Sequence, residues 1–262
     1  MQALWYTLGM RLLGIHNPFN APVYYEETVT STMEVSRLLE REGSPHGTVI
    51  AADFQEEGRG RIRGRKWEME KGRALAFTVL LRFTAIPTAL GLRAGLASAF
   101  AIEDFAPALS GRILIKWPND ILIPPALKLA GILAEAQDNC VHIGIGVNVS
   151  QKQIPGFLLD KASSISLASG AEYNSADRFI LMEKILFRLR CEIEAADWRE
   201  RLEARLYKKG GQICFAKGAA DSGDTVTGVL AGIGPEGELL IIPNGETAPL
   251  SFTAGEIYQA SG

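Results

Sequence analysis

Cysteine is scarce in this chain. Cys140, Cys191 and Cys214 form no C-x-x-C pair and leave one thiol over in any pairing, which argues against a disulfide scaffold and suits a reducing cytoplasm. Histidine is as sparse, with His16, His46 and His142 scattered along the chain. Cys140 and His142 alternate on a predicted strand, but with no second ligand pair nearby they read as strand residues, not a metal site. No run of about 18 apolar residues occurs, so the sequence offers no membrane-spanning helix. An excess of cations is missing too: a net charge of -3 over 262 residues argues against a surface coated in nucleic acid. There is no P-loop, no G-x-G-x-x-G opening a helix, no Ser/His/Asp or Cys/His nucleophile arrangement, no internal repeat and no low-complexity segment.

What is present is ordinary globular composition, 47% apolar and 22% charged, in a chain long enough for one large domain and a small one. Against the acidic balance stands one local exception, Gly58-Arg59-Gly60-Arg61-Ile62-Arg63-Gly64-Arg65-Lys66, followed by Trp67. Five cations in a glycine-studded stretch repel one another and make poor core, so the stretch reads as a mobile loop whose complement is phosphate. Its locality favours a small anionic ligand over a nucleic acid.

The segment Met1 to Gly14 reads as a helical or extended piece docking on the domain. Strands are predicted over Val23–Thr30, Thr48–Phe54, Ala74–Phe83, Ile113–Lys116, Ile121–Ile123 and Val141–Val149, with Lys128 to Glu135 leading into another. Ser31-Thr32 sits where a helix begins, with Val35, Leu38 and Leu39 as its apolar side. Further helices are predicted over Ala89–Phe105, Ser175–Ala196 and Trp198–Tyr207. Between strands, Lys116-Trp117-Pro118-Asn119-Asp120 makes a sharp corner. Alternate glycines in V-H-I-G-I-G-V-N-V leave room on one strand face for a flat ligand or another backbone. Beyond Gly211 the texture changes to short β-runs with glycine turns, so a small antiparallel barrel is expected over 210–262 and a larger domain over 1–209.

These strings come in a distinctive order. Gly58-Arg59-Gly60-Arg61 with Gly64-Arg65-Lys66-Trp67, then Lys116-Trp117-Pro118-Asn119-Asp120, Lys128-Leu129-Ala130-Gly131 and Gly144-x-Gly146-x-Asn148 resemble the biotin protein ligases over roughly residues 23–150. The resemblance implies an α+β fold, a mixed β-sheet flanked by helices and followed by a small SH3-like β-barrel. It implies ATP-dependent activation of biotin to biotinyl-5'-AMP, with Mg2+, and transfer to a lysine of a biotin carboxyl carrier protein. On it, Lys128, Arg59 and Arg61 are the catalytic candidates. Ser31, Thr32, Gln55, Gly58 and Gly131, with those three, would hold biotin. Arg65, Lys66, Trp67, Asn119, Asp120 and Asn148 would hold ATP or the adenylate, with Asp120 a candidate for the metal.

Two departures from the family pattern stand out. Met33 replaces the asparagine that often follows Ser-Thr, and Ile62-Arg63 make the loop one residue longer. Roughly 22 residues precede the first predicted strand, fewer than a winged helix-turn-helix needs, so DNA is not expected as a partner; without a long apolar run neither is a membrane, while a homodimer is compatible. The rival readings are a lipoate or octanoate ligase or transferase of the same superfamily, and a non-catalytic small-molecule or RNA-binding module.

Overall fold

A computed structural model of the chain describes residues 9–62, 64–217 and 224–258. Residues 1–8 of the expected docking segment lie outside the described residues. Its remainder contributes β1 (Arg11–Leu12), which pairs antiparallel with β2 (Val23–Val29). The main sheet continues with β3 (Thr48–Gln55), β4 (Ala74–Arg82), β5 (Leu114–Lys116), β6 (Asp120–Ile123), β7 (Leu127–Gln137) and β8 (Cys140–Asn148). Its strand order is β1-β2-β3-β4-β8-β7-β6-β5. Only β2 and β3 run parallel among these neighbours, so the sheet is mixed as expected.

Strand alternation divides the core. Val23, Tyr25, Val49 and Ala51 face one side, where helices α2 (Leu90–Phe105) and α4 (Asp177–Glu194) pack. Tyr24, Ile50 and Ala52 face the other, where α1 (Thr32–Arg41) covers them with Val35 and Leu39. Leu38, expected on the apolar side of α1, is 39% exposed. The buried stripe of that helix runs instead through Thr32, Met33, Val35, Ser36 and Leu39, because the small polar residues find hydrogen-bond partners beneath the helix. Lys128 also differs slightly from expectation, lying inside β7 rather than ahead of it. The short helices α3 (Ile165–Ser169) and α5 (Trp198–Glu203) complete this part; the latter stops earlier than the periodicity suggests.

The second sheet is antiparallel throughout, from β9 (Gln212–Lys217), β10 (Thr225–Ile233), β11 (Leu239–Pro243), β12 (Leu250–Phe252) and β13 (Gly255–Tyr258), ordered β12-β11-β10-β9-β13. It docks on the first through Trp117 of the K-W-P-N-D corner. That indole is buried, donates from Nε1 to the Gly237 carbonyl at 2.9 Å and lies 6.0 Å from the Phe215 ring. Gly237 has φ +91, and a Cβ there would stand 2.7 Å from that of Ala89, so only glycine permits this approach. Glu203 at the end of α5 accepts from the Ile233 amide at 2.9 Å and adds a second tie.

Candidate active site

The floor of the site follows from the alternation along β8. Val141, Ile143, Ile145 and Val147 enter the core, which turns His142, Gly144, Gly146 and Asn148 to the α1 side. Register then aligns Gly131 of β7, Gly146 and Ala76 of β4 in one row. The Trp67 indole lies across this row: a Cβ on Gly146 would stand 2.6 Å from Trp67 Cε2, and one on Gly131 would stand 3.5 Å from Cζ3. In the next row Met33 lies over Gly144, where a Cβ would meet its sulfur at 3.0 Å. The flat group that the alternate glycines admit is thus a side chain of the same protein.

Ser31 occupies the N-cap position of α1 but makes no side-chain cap bond. Gln55, at the end of β3, takes over: its Oε1 accepts from the Thr32 amide at 2.8 Å and from the Thr32 hydroxyl at 3.0 Å. Thr78 donates to Thr32 Oγ1 at 2.9 Å. Behind them, His142 is buried and pins α1 to β8. Its Nδ1 is 2.8 Å from Ser36 Oγ and its Nε2 2.8 Å from Glu40, so both ring nitrogens are taken.

The basic stretch forms a narrow hairpin. Gly60 N–H donates to the Arg65 carbonyl at 2.8 Å, and Trp67 N–H to that of Gly58 at 2.9 Å. Gly58 serves by close approach, since a Cβ there would stand 3.0 Å from the Trp67 carbonyl oxygen. Each described arginine of the stretch has an anchor. Arg59 pairs with Glu34 of α1, Arg61 Nη2 donates to the Gly255 carbonyl at 2.7 Å, and Arg65 makes a two-pronged pair with Glu256 at 2.8 and 2.9 Å.

Three hollows surround this hairpin. Ser31, Thr32, Gln55, Arg59, Arg61, Lys128 and Gly131 line the first, together with Met33 and Asn119. Arg65, Lys66, Asp120 and Asn148 line a larger cavity of about 1110 Å³, which extends to Lys116 and to Glu256 and Tyr258 of the second sheet. A third joins the hairpin tip to the K-W-P-N-D corner. Asn119 borders the first and third but not the large cavity. Asn148 donates to the Ser163 carbonyl at 3.0 Å and accepts from Gln151 at 3.1 Å.

Lys128 and Trp67 line all three hollows. Lys128 Nζ is 2.6 Å from Asp120 Oδ1 and 5.6 Å from the centre of the Trp67 ring. The missing side chain of Gly131 leaves it room, as a Cβ there would meet its Cε and Nζ at 3.1 Å. The buried Trp67 Nε1–H has no acceptor among the described residues. Lys116 and Glu256 were not among the site residues expected from the sequence. Lys116 heads the K-W-P-N-D corner, and Glu256 lies 191 positions from Arg65 with no local signal.

Charge shapes the second cavity. Burial pushes the Lys116 ammonium below its ordinary range, against the pull of Asp120 and Glu256. Burial alone would raise the Glu256 carboxyl, but Arg65, Lys116 and Tyr258 outweigh it and hold it below the ordinary 4.5. The sign follows: a carboxyl depressed in the folded state contributes stability above its unfolded value, lost as pH falls through the folded one. Thermal melts of wild type and Glu256→Gln should therefore converge as pH falls below about 4.5, with wild type melting higher near pH 7. A constant gap between the two across that range would contradict the pairing.

Among the described residues no three His, Cys, Asp or Glu side chains cluster as a metal site, and Asp120 is committed to Lys128. The donors of the described residues therefore do not form a magnesium cage. Such ions commonly take one or two protein carboxylates and complete their shell with substrate phosphates and water.

Comparison with known proteins agrees with this geometry. The model of the biotin/lipoate A/B protein ligase family matches residues 25–150. A bifunctional ligase/repressor BirA of Bacillus spizizenii is 37% identical over 160 residues, 58% of this chain and 48% of that protein. The match thus spans about half the length of that relative, and the same holds for the Bacillus subtilis protein. The biotin--[acetyl-CoA-carboxylase] ligase of Mycobacterium tuberculosis is 30% identical over 226 residues, covering 80% of this chain and 78% of the relative. Among solved structures, the biotin protein ligase from Aquifex aeolicus in complex with biotin and ATP superposes with a TM-score of 0.75. It is 26% identical, over 90% of this chain and 97% of that one.

Proposed function

Given that the chain belongs to the biotin protein ligase family, we propose that it activates biotin with ATP to biotinyl-5'-AMP and passes the biotinyl group to one lysine of a biotin carboxyl carrier domain. The observation that carries this reading is the position of Lys128, shared by the polar pocket at the start of α1 and the large cavity lined by charges of both signs. A carboxylate attacking a triphosphate meets like-charge repulsion, and a fixed cation where the two ligands join lowers that barrier.

In this reading Ser31, Thr32 and Gln55 satisfy the polar edge of the ureido ring, while Met33 and Trp67 cover apolar parts of biotin. Arg59 and Arg61 close the same pocket from the hairpin, and Gly58 lets the hairpin close on Trp67. Arg65 and Lys66 face the phosphates and Asn148 the nucleotide, with Asn119 holding the corner. Lys128 contacts the biotin carboxylate and the α-phosphate as negative charge shifts between them. Asp120 aims Lys128, and a magnesium ion entering with the phosphates would neutralise further charge. In the second step the carrier lysine's amine attacks the acyl carbon of the mixed anhydride and AMP departs.

We take residues 1–209 as the catalytic domain and 210–262 as the SH3-like one. No helix among the described residues is long and apolar enough to cross a membrane. The free thiols of Cys140, Cys191 and Cys214 fit a cytoplasmic site of action. The reading calls on neither DNA nor a second copy of the chain. Incubation with biotin, ATP and Mg2+ should release pyrophosphate and leave a tightly held adenylate, which a carrier domain then discharges. Turnover with lipoate but not biotin would overturn the substrate assignment.

A further inference from the structure

Four charged groups of the large cavity pair off. Lys128 takes Asp120 at 2.6 Å, and Arg65 takes both oxygens of Glu256 at 2.8 and 2.9 Å. Of the charges that remain along its lining, Lys66, Glu68, Asp160 and Lys161 are exposed to water and Lys116 is partly buried. The backbone carbonyl of Lys116, the cross-strand neighbour of Asp120 at the mouth of the β5–β6 turn, accepts from the Asn119 amide at 3.1 Å, but its ammonium makes no hydrogen bond or ion pair with any described residue. Its side chain lines the large cavity and the hollow beneath the hairpin tip, but not the pocket at the start of α1. An ammonium half out of water with its two nearest carboxylates already committed is poorly compensated, and its natural complement is an anion entering the cavity.

We propose that Lys116 is a further catalytic residue, whose ammonium contacts the pyrophosphate part of the nucleotide on the side of the α-phosphate away from biotin. This rests on the ligase reading. In the first step one biotin carboxylate oxygen bonds to the α-phosphorus while the bond from that phosphorus to the oxygen bridging to the β-phosphate breaks. The electron pair stays on that oxygen, pyrophosphate departs, and no proton needs to move. Lys128 sits where the bond forms. Lys116, absent from the biotin pocket and bordering the phosphate cavity, sits where the leaving group accumulates charge. The two lysines thus divide the work between the attacking and departing groups.

The test uses the full chain and the Lys116→Met and Lys116→Arg variants. Titration with inorganic pyrophosphate, with no biotin present, reads the contact without turnover. Lys116→Met should weaken pyrophosphate binding and raise KM for ATP by about 10- to 100-fold, the loss of one charge-assisted contact. Lys116→Arg should recover most of both. Transfer of biotin from supplied biotinyl-5'-AMP to a carrier domain should stay within about twofold of wild type, because pyrophosphate has already gone. Unchanged pyrophosphate binding in Lys116→Met would overturn the proposal. So would an equal loss in the transfer step, which would mark Lys116 as a support for the domain interface. A wild-type protein that binds pyrophosphate through Lys116 but makes no adenylate would instead refute the ligase reading alone.

Discussion

Replacing Lys128 by alanine should lower the rate of adenylate formation by about 10³-fold, with a much smaller change in biotin affinity. The pocket at the start of α1 keeps Ser31, Thr32, Gln55, Arg59 and Arg61 in the variant, so ground-state binding retains most of its contacts. What disappears is the ammonium that lines both that pocket and the large cavity, where on the proposed reading carboxylate and α-phosphate approach. Arginine should not restore the rate. Lys128 is folded back over Gly131 at 3.1 Å from where a Cβ would be, and a planar guanidinium needs width that this passage lacks. Asp120 would also be left without its 2.6 Å partner, which adds an unpaired carboxylate beside the phosphates. Pre-steady-state pyrophosphate release with saturating biotin and ATP measures the effect. Near-normal release in Lys128→Ala would remove Lys128 from the reaction.

A valine at Gly146 should cut kcat/KM for biotin by about 100-fold while costing about 1–3 kcal/mol of stability. The strand itself tolerates valine, since its neighbours Ile145 and Val147 are of that kind. The conflict is with Trp67: the new Cβ alone would stand 2.6 to 3.1 Å from three indole atoms, and the two methyls would drive the ring off the floor. Because Trp67 borders all three hollows and lies 5.6 Å from Lys128, its displacement disturbs both ligand spaces at once. Trp67→Ala in the same chain removes the clash, so the two substitutions should be strongly non-additive in a double-mutant cycle. Full additivity, or wild-type activity in Gly146→Val, would show that the indole does not rest on β8 in the working enzyme.

Much of this molecule is legible along the chain. Alternation and β-branching place β2, β3, β4 and β8 to within one or two residues, because β3, β4 and β8 each have an apolar face that a buried strand satisfies and β2 opens on the buried run Val23-Tyr24-Tyr25. Leu38 is the instructive exception: spacing puts it beside Val35 and Leu39, yet the packed face of α1 turns instead through Ser36, which needs a partner, and His142 supplies one from 106 residues away. Similarly, the V-H-I-G-I-G-V-N-V strand announces a crowded face but not what crowds it.

By itself the sequence determined the alternation of strands and helices, the isolation of five cations in an acidic chain, and the ordered motifs that carry the family resemblance. All of these depend on residue type and on short spacings. The tertiary structure alone decided that Gly131, Gly146 and Ala76 form one row under Trp67, that Glu256 closes on Arg65, and that the Lys116 ammonium makes no ion pair while its two neighbouring carboxylates bind other cations. Those are matters of strand register and domain docking, set by contacts between residues up to 191 positions apart. Local chemistry names the groups that can hold a phosphate, but which of them remain unpaired depends on what the fold brings beside each one.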